Sequence, residues 1–310
     1  MKYAKIVLNN IAQVLLLQNP WTGLFVLIGL FLGSWKVGLI ALIASIIALL
    51  LAKQTNYSEA EITAGLAGFN PVLTGIALTI FLTSEWYSWV FVIIAILITM
   101  PIGSAVREFL KPFGVPMLTI PYVFISSSVL LTSFQFQHVD ADIDILPNTV
   151  KEIVFSEHNV HFISAFLSGF SEIFLLDNVM AGILILIGIF IASRKAGLLS
   201  IGANLLGLGI DLMFGANHDQ INAGLFGYNV VLTVLALGVA FETRINRYIS
   251  IALGILLTIM LHAGLTTLLT PFGLPVFTLP FIIATWIMLF AGTRMQEQQI
   301  DESLENQNGK

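Results

Sequence analysis

The chain has 310 residues, of which 57% are hydrophobic and 10% charged, and its mean hydropathy is +0.94. A soluble domain carries about 25% charged residues, so this composition excludes a water-soluble globular protein and leaves an integral membrane protein. The net charge of −5 says little, because much of it falls in the middle of the chain and in the C-terminal tail, and with no cysteine the chain offers neither disulfides nor thiol chemistry.

The apolar runs suit helices of ~20 residues, whereas a membrane barrel would alternate in ~10-residue pieces, so the expected class is all-α. Lys2 and Lys5 before an apolar run resemble a signal peptide, but Asn9, Asn10 and Gln13 interrupt that run and its pattern recurs internally. The run is therefore read as part of the fold. The first half then gives apolar segments near 20–34, 37–53, 60–82, 86–106 and 116–134. The second half gives them near 179–193, 196–213, 219–241, 246–268 and 276–292. Each half opens with a shorter piece, 6–18 or 162–176, that cannot span alone. These are expected to be re-entrant half-helices, the alternative being amphipathic surface helices.

One register relates the halves. Thr63–Leu78 (TAGLAGFNPVLTGIAL) returns as Asn222–Leu237 (NAGLFGYNVVLTVLAL), ten of sixteen positions identical at an offset of 159. At the same offset Pro112–Pro121 (PFGVPMLTIP) returns as Pro271–Pro280 (PFGLPVFTLP), and Gln13, Asn19 and Gly23 fall on Glu172, Asn178 and Gly182. The chain therefore divides into a first membrane repeat (1–134), an extramembrane linker (135–161), a second repeat (162–293) and a polar tail (294–310).

Charge sets the expected orientation. With five crossings per half and a cytoplasmic N-terminus, eleven Lys and Arg residues fall inside and only Lys36 and Lys151 outside. An odd number of crossings makes the repeats inverted, places both termini in the cytoplasm and puts a shared pore at the repeat interface. Trp35, Trp86, Trp89 and Tyr248 fall at segment ends, as interface anchors should.

The residues with chemical potential are few. In the linker, Asp140, Asp142 and Asp144 start like a calcium loop, but Ile145 stands where glycine is needed and Lys151 where a bidentate Glu is needed. His158 and His161 lack further ligands, so neither a metal nor a cofactor is expected. Prolines at 112, 116 and 121, and at 271, 275 and 280, forbid a continuous helix. The carbonyls of Val115–Leu118 and Leu274–Phe277 are then expected to form two rows of acceptors, with Thr119 and Thr278 at their inner ends. Tight turns before ordinary helices are the alternative. Beside the Gly65–Gly68 and Gly224–Gly227 pairs, Phe69 with Leu73 and Tyr228 with Leu232 lie one helical turn apart. Each pair serves either as core or as a pore-facing slot, with Asn70 and Asn229 alongside. Glu172 stands in an apolar stretch opposite Gln13, and an ionisable residue there costs about 2.5 kcal/mol or more at mid-membrane. Asp211 is nearer a segment end, and Asp177 is expected to cap the following helix.

The paired Gly-Leu-x-Gly-aromatic-Asn phrases, with the Pro-x-x-Thr-x-Pro-aromatic motifs at 116–122 and 275–281, resemble the urea transporter family over residues 5–293. That resemblance implies homotrimers whose protomers each hold a pore, embedded in lipid of the cell membrane, with no nucleic-acid partner and urea as substrate. It implies two aromatic slots, Phe69 and Leu73 in one and Tyr228 and Leu232 in the other, with Leu16 and Ile173 helping to wall them. Gln13 and Glu172 would accept amide hydrogens, and Thr119 and Thr278 would flank the constriction. Tyr228 departs from the Phe usual in the family. The expected function is channel-like facilitated diffusion of urea. A proton-linked secondary transporter of a small polar amide or amine, with Glu172 as relay, is the competing reading. An intramembrane enzyme would need a His–Ser–Asp or HExxH grouping, and the membrane segments contain neither.

Overall fold

A computed structural model describes residues 2–83, 85–136, 159–243 and 245–291, and among these every regular element is helical. The Asp140–Asp144 run, Lys151 and His158 lie outside the described residues, as does the polar tail.

Each half begins with a helix that stops short and turns. Helix α1 (Lys2–Ala12) ends in a 3-10 turn, Gln13–Leu15, and α2 (Pro20–Gly33) leaves it at 78°. The pattern returns as α8 (Phe162–Ser171), the turn Glu172–Phe174, and α9 (Val179–Ala192) at 74°. The break follows from the sequence: Leu16 and Leu175 adopt left-handed backbone (φ 58° and 59°), and Asn19 and Asn178 then cap the next helix. Asn178 Oδ1 accepts the Ala181 amide at 2.9 Å, so Asn178 is the cap, not Asp177. The Asp177 carboxylate instead accepts the Ser168 hydroxyl at 2.7 Å.

Among the described residues four helices, three of them counted with the 3-10 turn that follows, are long and apolar enough to cross a membrane: α3 (Trp35–Leu51), α6 (Trp86–Leu110), α10 (Arg194–Met213) and α13 (Arg247–Leu269). Trp35, Trp86 and Tyr248 stand exposed at the first turns of α3, α6 and α13. The segments expected at 60–82 and 219–241 are each broken in two. A short α4 (Glu59–Ala64) stops at Gly65 (φ 88°) before α5 (Phe69–Phe81). The second half stops α11 (His218–Asn222) before Gly224 (φ 79°) and resumes as α12 (Gly227–Leu235). Only glycine takes this backbone at little cost, so the break is written into the repeat. Each proline-rich stretch opens in a 3-10 turn (Lys111–Phe113 or Thr270–Phe272), continues without regular structure and leads into α7 (Ile120–Thr132) or α14 (Leu279–Phe290).

Helix α2 packs along α9 where the halves meet. Gly29 backs onto Ala181 and Gly188 onto Thr22, a reciprocal pair under the 159-residue offset, and the Thr22 hydroxyl donates to the Gly188 carbonyl at 2.7 Å. Two other glycines set how closely α1 approaches α2 and α8 approaches α9. A Cβ at Gly23 would lie 1.9 Å from the Leu8 carbonyl oxygen, and one at Gly182 would lie 2.0 Å from that of Leu167. Because the obstacle is backbone, Gly23→Ala and Gly182→Ala should each lower stability by roughly 1–3 kcal/mol or more. Thermal unfolding in detergent checks this; wild-type melting of both variants would show that the helices separate without cost.

Candidate functional site

The two proline-rich stretches turn at Leu118 (φ 47°) and Phe277 (φ 48°), left-handed residues that are not glycine. Such backbone costs of order 1–3 kcal/mol per residue and persists only when its surroundings hold it. Two buried asparagines supply the hold. Asn70 donates through Nδ2 to the Leu118 carbonyl at 3.0 Å and accepts the Tyr122 amide at 3.2 Å. Asn229 donates to the Phe277 carbonyl at 3.1 Å and accepts the Phe281 amide at 3.3 Å. Each side chain thus satisfies a freed carbonyl and an unpaired amide in the first turn of α7 or α14.

The expected open rows of carbonyls are therefore partly occupied. Asparagine reaches the Leu118 and Phe277 oxygens, and the Trp286 indole donates to the Pro116 carbonyl at 2.8 Å. The physical reason is that carbonyls released from helical bonding need donors, and the side chains that supply them also fix the backbone there. Thr119 and Thr278, one from each half, meet directly: their hydroxyl oxygens are 2.6 Å apart and both residues are buried.

Gln13 and Glu172 open the two 3-10 turns and are 7% and 6% exposed. Leu16 is half-buried in the left-handed turn after Gln13, and Ile173 is buried beside Glu172. Phe69 and Leu73 on α5, and Tyr228 and Leu232 on α12, are all buried. A cavity of about 280 Å³ gathers Glu172, Tyr228, His262 and Phe277, with Phe81 from the first half edge-on to Phe277 at 5.7 Å. Of the second-half candidates, the slot residue Tyr228 and the acceptor Glu172 line this cavity, whereas the slot residues Leu232 and Ile173 and the constriction residue Thr278 are not on its wall. The Tyr228 hydroxyl donates to the Phe277 carbonyl. Reading the sequence missed His262, although an ionisable residue inside an apolar segment was a signal of the kind that drew attention to Glu172.

The equivalent first-half positions are built differently. Glu61 and Arg107 stand where the second half has Gln220 and Thr266, and they form an ion pair. The Arg107 guanidinium also lies over the Tyr57 ring at 4.4 Å, and the Tyr57 hydroxyl meets the Met117 sulfur at 3.9 Å. Burial pushes the Tyr57 phenol up to about 12.

Removing one asparagine leaves both its carbonyl and its amide short of a partner. Asn70→Ala and Asn229→Ala should each cost about 1–3 kcal/mol for the groups left unpaired. Unfolding midpoints in detergent test this, and unchanged midpoints would mean that the proline-rich segments hold themselves.

A protein-family model described as "Urea transporter" matches residues 4–293. "Urea transporter 1" of Ovis aries is 30% identical over 300 residues, covering 93% of this chain and 77% of its own length. Its counterpart in Capra hircus is 29% identical over the same coverage. That of Rattus norvegicus is 27% identical over 312 residues, covering 97% of this chain and 81% of its own. Matched through both halves and both proline-broken segments, the chain belongs to the urea transporter family.

Proposed function

We propose that the protein lets urea diffuse down its gradient through one narrow path between two inverted repeats. The observation that carries this reading is the meeting of Thr119 and Thr278 at 2.6 Å, equivalent positions in the two halves, at the inner ends of the two proline-rich segments. Equivalent residues that touch across an offset of 159 sit on a two-fold axis, and the reciprocal Gly29 and Gly188 contacts of α2 and α9 follow the same rule.

Urea is flat and neutral, with four N–H donors around one carbonyl. Phe69 with Leu73 and Tyr228 with Leu232 would form slots that stack it, walled further by Leu16 and Ile173. Gln13 and Glu172 would accept its donors on either side of the threonine pair. Such a path replaces water's hydrogen bonds piecemeal without a deep well, which rapid passage requires. The protein is a transport protein, not an enzyme. Proton-linked transport is the weaker reading, because Gln13 holds the position equivalent to Glu172 and cannot carry a proton. The units are the repeats 1–134 and 162–293, with the linker 135–161 outside, the tail 294–310 inside and three protomers assembled in the cell membrane.

Stopped-flow urea flux into liposomes tests the mechanism. Thr119→Val and Thr278→Val keep the side-chain shape but remove the hydroxyl, and each should slow flux by roughly ten- to a hundredfold if that point is the barrier. Flux should be insensitive to ionophores, and Glu172→Gln should keep a substantial part of it. Proton uptake in step with urea would establish the coupled mechanism instead.

Orientation is tested in the same liposomes or in cells, since the chain has no background cysteine. Cysteine at Lys36 should label from outside, and cysteine at Lys2 or Lys53 only from inside. Labelling of Lys2 and Lys36 from the same side would overturn the inverted arrangement.

A further inference from the structure

The path described so far is rich in acceptors: a carboxylate, an amide oxygen, two hydroxyls and backbone carbonyls. Urea also brings one acceptor of its own, its carbonyl oxygen, and that oxygen loses its water donors on entering. The Gln13 amide and the threonine hydroxyls can donate as well as accept, and the cavity at Glu172 adds an imidazole whose tautomer a neighbour sets.

His262 lies on α13 and is 5% exposed, and its ring forms part of the cavity wall. The ring is wedged between aromatic neighbours, 4.7 Å from Phe226 and 6.1 Å, edge to face, from Tyr228. Its Nδ1 lies 3.4 Å from the Asn229 amide nitrogen. The orientation of Asn229 is settled by its other bonds: Oδ1 accepts the Phe281 amide, so the nitrogen facing His262 is the NH2 group. A donor faces Nδ1, so Nδ1 accepts, and in a neutral imidazole the proton is then on Nε2. No bond to Nε2 is found among the described residues, and His262 lines the cavity, so this N–H is available to a solute there.

We propose that His262 is a specificity-determining residue whose Nε2–H donates to the substrate's carbonyl oxygen in the Glu172 cavity. The inference rests on the urea reading and deepens it. A planar solute whose carbonyl carries flanking N–H groups can then meet a donor and an acceptor in the same cavity. The device is one-sided, because Gly103 occupies the equivalent position in the first half and offers only backbone.

The test compares urea with thiourea, whose sulfur is a much weaker acceptor, by stopped-flow flux of the full chain in liposomes. Wild-type flux no faster than that of protein-free liposomes would overturn the urea reading itself, and is read first. Given wild-type flux, His262→Phe keeps a ring but loses the donor, and should lower the urea-to-thiourea flux ratio by roughly two- to tenfold. His262→Gln keeps an N–H donor and should retain more of the ratio. An unchanged or increased ratio in His262→Phe would overturn the proposal. A second measurement does not depend on a variant folding: nitrogen-15 NMR of labelled wild-type protein in lipid should show His262 neutral and protonated at Nε2. Protonation at Nδ1 would overturn it.

Discussion

Backbone that leaves the helix among apolar neighbours must find partners for its amides and carbonyls, and every other feature of this protein follows from how that demand is met. An unsatisfied group there costs several kcal/mol, so irregular backbone survives only where other groups complete it. Asn70 and Asn229 do so with one side chain each, joining one residue of a proline-rich stretch to the first turn of the helix that follows. The strained Leu118 and Phe277 are held between those bonds. The threonine that comes next in each half is thereby delivered to the same point from two directions.

The glycines act on the same problem from the outside. Gly23 and Gly182 let α1 and α8 lie against the backbone of the helices that follow, so the short opening helices end deep in the protein rather than at its rim. Their last turns then carry Gln13 against α5 and Glu172 against α12 and α5, both buried. Polar side chains placed in this way are expensive in a membrane and are expected to serve the solute.

The duplication is close in backbone but not in side chains. Phe69, Gln13 and Gly103 in the first half correspond to Tyr228, Glu172 and His262 in the second. The second-half cavity therefore holds a carboxyl, a phenol and an imidazole around about 280 Å³, while the first-half positions carry the Arg107–Glu61 pair and the Tyr57 ring. The two halves thus differ in hydrogen-bonding capacity as well as in charge.

Membrane class, helical content and the duplicated register were all determined by the sequence alone, because each is a one-dimensional property: apolar run length, proline placement and an offset of 159. The same holds for Thr119, Thr278, Gln13 and Glu172 as candidates, since polar residues in apolar runs stand out without a structure. Only the tertiary structure decided what those residues meet. Asn70 and Leu118 are 48 residues apart, and Asn229 and Phe277 are also 48 apart. No local pattern announces that an amide will close a carbonyl at that distance, so the carbonyl rows read as open when they are partly taken. His262 passed unnoticed in an apolar run, and its approach to the Asn229 amide at 3.4 Å exists only in the fold. The broken third segments were written in glycine, but whether Gly65 marks close packing or a left-handed stop depends on φ, which the chain acquires only when α4 and α5 pack against α1.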